Sequence, residues 1–196
     1  MKMTREQYLE QYAKQLKDRV FKQADIKLDL SKVKISCGFP SRGATKLNNK
    51  TIGQCFPTQR SGAKMNEIFI HPELDDALRV GDVLAHELIH AHLDCNYGHK
   101  KPFRDIAVAI GLTGKMTATI CGDELKPKLE SMVKKLGKYP HKKLDATPIK
   151  KQTTRMLKAV CYDDDYIVRM SKKVAEMGLP YCGVCNELME LESEVK

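Results

Sequence analysis

The sequence predicts an α+β fold, and three observations carry the prediction. An amphipathic stretch opens the chain, three short strand-like runs follow it, and from about residue 78 the apolar spacing becomes helical. A chain of 196 residues has room for one main globular domain and a small appendix. Hydrophobic residues make up 42% of it, enough to bury a core and to exclude wholesale disorder.

Taken in order, residues 4–21 read as a helix, with Thr4 as its cap and Tyr8, Tyr12, Leu16 and Val20 recurring every four residues. Residues 31–36 alternate Val33 and Ile35 with polar neighbours and read as a strand. The stretch 38–50 is rich in Gly, Pro, Ser and Asn and reads as a loop. Residues 51–55 and 67–70 complete a small three-stranded sheet. From Leu78 to Asp94, Val80, Val83, Leu84, Leu88, Ile89 and Ala91 form the buried wall of a helix. Residues 102–111 read as another helix, with Pro102 in its first turn, and 124–136 as a third, stopped by Gly137. Residues 138–154 are polar, basic and carry two prolines, as a linker does. The runs 155–160 and 166–170 are strand-like. This divides the chain into a domain over residues 1–145 and a smaller one over 155–196.

No stretch approaches the roughly 20 apolar residues of a membrane helix. The first 21 residues are charged throughout and lack the apolar core of a signal peptide, so a cytoplasmic protein is expected. Seven cysteines, an odd count in such a compartment, argue against a disulfide framework. Cys37, Cys55, Cys95 and Cys121 are expected in the core. The formal charge of +9 is unevenly spread. Residues 100–158 carry 15 positive and 5 negative side chains, whereas residues 159–196 carry 4 and 8. A basic block of this kind favours a polyanionic partner, DNA or a nucleoprotein, against the plainer reading of a solvated surface. Lys134, Lys135, Lys138, Lys142 and Lys143 are its candidate phosphate contacts.

The strongest motif is His86-Glu87-Leu88-Ile89-His90. Residues four apart share a helix face, so both imidazoles can reach one cation, while Glu87 lies about 100° around the helix, beside the ion's open position. From there a carboxylate can take a proton from a water that the ion acidifies, which is the zincin arrangement. The competing reading is a pair of satisfied core histidines beside a surface glutamate. A catalytic zinc site wants a third protein ligand. His92 points away from His90, Asp94 falls at the helix end, and His99 follows Gly98, where the chain can turn back; His99 is favoured.

The run HELIHAHLDCNYGHKKPF, residues 86–103, resembles the SprT-like family of zinc metallopeptidases, which includes Spartan, the protease of DNA–protein crosslinks. The resemblance extends through SCGFPS, IGQCF, EIFIHP, AIGLTGKMTAT and YPHKKLD, in the manner of phage and prophage members, for which the host cytoplasm is the expected place. It implies a minimal zincin-like domain in which His86, His90 and His99 bind a catalytic zinc and Glu87 is the general base. Phe103 matches the family aromatic that opens the next helix. Such proteins often end in a four-cysteine zinc ribbon. Here Cys182-Gly-Val-Cys185 is one half of a ribbon, but the other half reads Cys161-Tyr-Asp-Asp164. Asp164 as an oxygen ligand of a second, structural zinc, a three-cysteine site closed by water, and a metal-free ribbon are the three arrangements available.

Three functional readings follow. The leading one is a zinc metallopeptidase acting on DNA-associated proteins, brought to them by the basic block and the ribbon. The rival is a non-catalytic, zinc-containing nucleic-acid-binding or transcription-associated protein, and a hydrolase of non-peptide bonds is a third possibility. Glu87 discriminates, because a purely structural site has no use for a carboxylate beside its metal. For the group that steadies an oxyanion, His92, Tyr97 and His141 are candidates.

Overall fold

A computed structural model describes residues 3–46, 48–145 and 156–192. The chain divides into two compact units, Met1–Thr147 and Pro148–Lys196. The stretch expected between the two domains, residues 146–154, lies outside the described residues.

The first unit begins with α1, Arg5–Leu16. Thr4 and Gln7 close a reciprocal cap: the Thr4 hydroxyl accepts from the Gln7 N–H at 3.2 Å, and the Gln7 side chain accepts from the Thr4 N–H at 2.9 Å. Tyr8, Leu9, Tyr12, Ala13 and Leu16 are buried along its inner face. The expected helix runs on beyond Leu16, but as a wider π-turn over Lys17–Phe21 and a 3-10 turn over Lys22–Ala24. Val20 and Phe21 are both buried there, and Asp25 stops the run in the left-handed region.

Strands β1 (Val33–Cys37), β2 (Gly53–Phe56) and β3 (Asn66–Ile70) form one sheet in the order β1-β3-β2. β1 runs parallel to β3, and β2 antiparallel to it, with Gly53 opposite Ile70 and Phe56 opposite Glu67. β2 is therefore an edge strand. Helix α2, Ala77–His92, packs on this sheet. Asp76 caps it by accepting from the Arg79 N–H at 2.7 Å. Val80, Val83, Leu84, Leu88, Ile89 and Ala91 are buried, as the spacing requires. The chain then reverses and enters α3, Lys101–Ala109, whose Phe103 and Ala107 are buried.

The residues between α3 and the next helix form a hairpin, β4 (Leu112–Lys115) with β5 (Ala118–Cys121), which is an addition to the elements expected of the first unit. Its strands are short, rich in Thr and Gly, and largely exposed, so they lack a strong alternating apolar signal. Helix α4, Lys126–Leu136, buries Leu129 and Met132 and ends at Gly137.

In the second unit β6 (Leu157–Val160) pairs antiparallel with β7 (Ile167–Met170) on one side and β8 (Glu190–Leu191) on the other. A short helix, α5 (Lys172–Met177), capped by Ser171, also goes beyond the expected elements. The buried cluster here is small: Ala159, Cys161, Met170, Cys182 and Met189. Apolar burial on that scale rarely holds a unit of this size without a staple. Among the described residues no helix is long and apolar enough to cross a membrane.

Candidate metal centre

The last turns of α2 set His86 and His90 one turn apart, as i,i+4 geometry dictates. Beyond the helix, Asp94 and Cys95 adopt left-handed conformations and Gly98 follows with φ 52°, which folds the chain back over the helix end. That reversal delivers His99. Its Nε2 lies 3.1 Å from Nε2 of His86 and 3.2 Å from Nε2 of His90. Tetrahedral donors about 2.0–2.1 Å from a zinc ion stand about 3.3 Å from one another, so both separations from His99 are close to those such an ion needs, and all three nitrogens lie within 4.8 Å of one another.

The surroundings keep the rings neutral and fixed. Burial holds His86 down to about 3 and His90 down to about 4, with the neighbouring imidazoles adding to both, and burial lowers His99 as well. Neutral imidazole is the form that ligates metal. Phe103 lies beneath all three, its ring centroid 4.7, 4.5 and 4.9 Å from those of His86, His90 and His99. Nδ1 of His86 lies 2.9 Å from the hydroxyl of Thr119 on β5. With Nδ1–H donating to that oxygen, Nε2 keeps its lone pair for the ion. Thr119 is held in turn, since Nη1 of Arg79 donates to its carbonyl at 3.3 Å and pairs with Asp82 at 2.7 Å.

Glu87 is 5% exposed. Burial raises its carboxyl to about 8, nearby Cys95 adds to the rise, and the backbone of Cys55 opposes it. The carboxylate lies against β2: a Cβ on Gly53 would meet Glu87 Oε1 at 2.5 Å and Val83 Cγ1 at 2.6 Å. Glycine at position 53 is what lets the helix carboxylate approach the strand so closely. Glu87, the three histidines, Gly53 and Thr119 share the wall of one cleft of about 780 Å³.

Asp94 and His92, the other candidates for the third ligand, serve elsewhere. Asp94 accepts from the backbone N–H and hydroxyl of Thr58 and from Nδ2 of Asn66, which ties the α2 reversal to the sheet. His92 is exposed. The cleft wall includes none of His92, Tyr97 and His141; His141 Nε2 lies 2.7 Å from the carbonyl of Pro72. Cys37, Cys55 and Cys121 pack against the core but are only half-buried. Cys55 and Cys95 line the cleft; the Cys95 thiol donates to the Cys55 carbonyl at 3.5 Å, and the Cys55 thiol to the Phe56 carbonyl at 3.7 Å. Lys134, Lys135, Lys138, Lys142 and Lys143 are all exposed.

The sequence profile of the SprT-like family matches residues 9–122, from α1 to the end of β5. The chain belongs to the SprT-like family. The matched span holds all three histidines, Glu87, Gly53 and Thr119, so this SprT-like domain contains the whole of the cleft just described. No curated protein and no solved structure matches the chain.

A second cluster lies outside the family match. Cys161, Asp164, Cys182 and Cys185 bring their ligand atoms within 4.8 Å of one another. Cys161 Sγ lies 3.5 Å from Cys185 Sγ, and Asp164 Oδ2 lies 3.7 Å from Cys161 Sγ and 3.5 Å from Cys182 Sγ. Around a tetrahedral zinc, with bonds of about 2.3 Å to sulfur and 2.1 Å to oxygen, a sulfur and an oxygen stand about 3.6 Å apart. Hydrogen bonds from the Cys185, Cys182 and Cys161 thiols hold the Asp164 carboxyl below its usual range. The donor set and spacing fit zinc, and the small core of this unit gives such an ion a structural task.

Proposed function

We propose that this SprT-like protein is a zinc-dependent metallopeptidase acting on DNA-associated proteins, with His86, His90 and His99 as ligands and Glu87 as general base. The observation that carries the proposal is the convergence of three neutral imidazole nitrogens at zinc-ligand spacing in the same cleft as a buried carboxylate. Zinc held there by His86, His90 and His99 would supply Lewis acidity, polarising a carbonyl and lowering the pKa of water. In its ionised form Glu87, whose carboxyl burial raises to about 8, would take a proton from water at a carboxylate oxygen and return it to the leaving amine. Thr119 fixes the tautomer of His86, and Phe103 supports the three rings from below.

The edge strand β2 forms part of the same cleft wall, and an extended peptide laid along its free border would pass the ligand set and Glu87. Exposed Lys134, Lys135, Lys138, Lys142 and Lys143 supply the charge for DNA. Asp164 with Cys161, Cys182 and Cys185 would hold a second, structural zinc. The workplace we propose is the cytoplasm.

The test is Glu87→Gln in zinc-loaded protein, assayed on a protein crosslinked to DNA. Metal content should be unchanged, while cleavage should fall by roughly a hundredfold or more, because only the base is lost. Equal cleavage by the variant refutes the mechanism. A wild-type protein that binds DNA, carries zinc and cuts nothing makes the non-catalytic, nucleic-acid-binding reading the correct one.

A further inference from the structure

The second unit turns more large apolar side chains outward than its core takes in. Two tight turns, residues 161–166 and 182–187, bring the tail cluster together. The Cys161 N–H donates to the Tyr166 carbonyl at 2.9 Å, and the Cys182 N–H to the Glu187 carbonyl at 2.7 Å. The turns are apposed, since Asp164 of one reaches Cys182 of the other, and Tyr166 lies against Gly183, its hydroxyl 3.4 Å and its ring 3.5 Å from where a Cβ would stand. Tyr181 and Leu188 face each other across an antiparallel bridge at the base of the second turn.

These apposed turns carry four large exposed side chains: Tyr162 is 65%, Tyr181 64%, Val184 67% and Leu188 56% exposed. Solvent-facing apolar groups gathered in this way mark a contact surface. The polar groups among them share one sign. Asp163, Asp165 and Glu187 are exposed, and residues 161–166 and 181–188 hold no Lys or Arg. Phosphates would meet like charge here. A lysine- or arginine-rich polypeptide would meet carboxylates for its charges, tyrosine faces for its cations, and Val184 and Leu188 for its apolar side chains.

We infer that the paired turns of the second unit are a docking surface for a basic segment of a partner protein, and that DNA contacts belong to the first unit. The inference is independent of whether the cleft hydrolyses peptides. It departs from the expectation that the tail serves nucleic acid.

The test uses the full zinc-loaded chain and three fluorescein-labelled probes: a short peptide of alternating Lys, Leu, Arg and Ala, the same peptide with Glu for Lys and Arg, and single-stranded oligo-dT. Fluorescence anisotropy should show the basic peptide binding and the acidic one not. Asp163→Lys with Asp165→Lys, and separately Tyr162→Ser with Tyr181→Ser, should each weaken the basic peptide roughly tenfold or more. Lys134→Glu with Lys135→Glu should leave it unchanged. An amide NMR titration of the wild-type chain needs no variant to fold, and should shift residues 162–166 and 181–188. The inference is overturned if the tail variants bind the basic peptide as wild type does, if the shifts fall elsewhere, or if oligo-dT is the probe that the tyrosine variant no longer binds.

Discussion

Replacing Thr119 with valine removes one oxygen and almost no volume, and the structure says what that oxygen does. Thr119 is 6% exposed, and its hydroxyl lies 2.9 Å from His86 Nδ1, whose N–H donates to it in the tautomer that leaves Nε2 free to bind a metal. Without it a buried N–H is left without a partner, at about 1–3 kcal/mol. The ring can then escape only by turning or by moving its proton to Nε2, and either change spoils the ligand. Removing an outer partner of a metal-binding histidine typically costs ten- to a hundredfold in metal affinity, about 1.4–2.7 kcal/mol. The assay is competition for zinc against a chromogenic chelator at fixed pH. Thr119→Ser keeps the oxygen and should bind zinc within about threefold of wild type. If Thr119→Val is folded by circular dichroism and binds zinc as tightly as wild type, the orienting role assigned to β5 is wrong.

Gly53→Ala should leave zinc bound but slow hydrolysis severely, because the new methyl needs the space of Glu87 Oε1 and Val83 Cγ1; unchanged turnover would show that the carboxylate has room to move. His99→Ala should remove the zinc of the first site and Asp164→Ala weaken that of the second, read as zinc per chain by elemental analysis; full occupancy in either variant would move that ligand elsewhere. Neutralising Lys134, Lys135, Lys138, Lys142 and Lys143 should flatten the logarithmic salt dependence of DNA binding by up to roughly 0.9 for each phosphate that the protein no longer neutralises. An unaltered slope would reduce those lysines to a solvated surface.

Much of the site is legible in residue spacing. Two histidines four apart on an apolar helix must share a face, and a Gly-His pair a few residues later marks where the chain can return. Thr119 is not legible, because a threonine in a polar hairpin carries no periodic signal and its partner lies 33 positions away. Gly53 did leave a signal: a glycine inside a strand pattern marks close approach of something to the backbone. The sheet order was out of reach, since β1 pairs in parallel with β3 and not with β2, its neighbour in sequence, and residue periodicity carries no record of which strands pair. In the tail, Ser171 was a readable cap for α5, but six residues give too few turns for an apolar stripe to show.

Strand β2 has only four residues, about 13 Å of extended chain. A visiting polypeptide aligned with it would find very few rungs, too few to read a long recognition sequence. Selectivity would then fall to a cruder property, namely whether a stretch of the target is slack enough to be drawn out straight. The same brevity is protective, because two copies meeting border to border would gain too little to stay together.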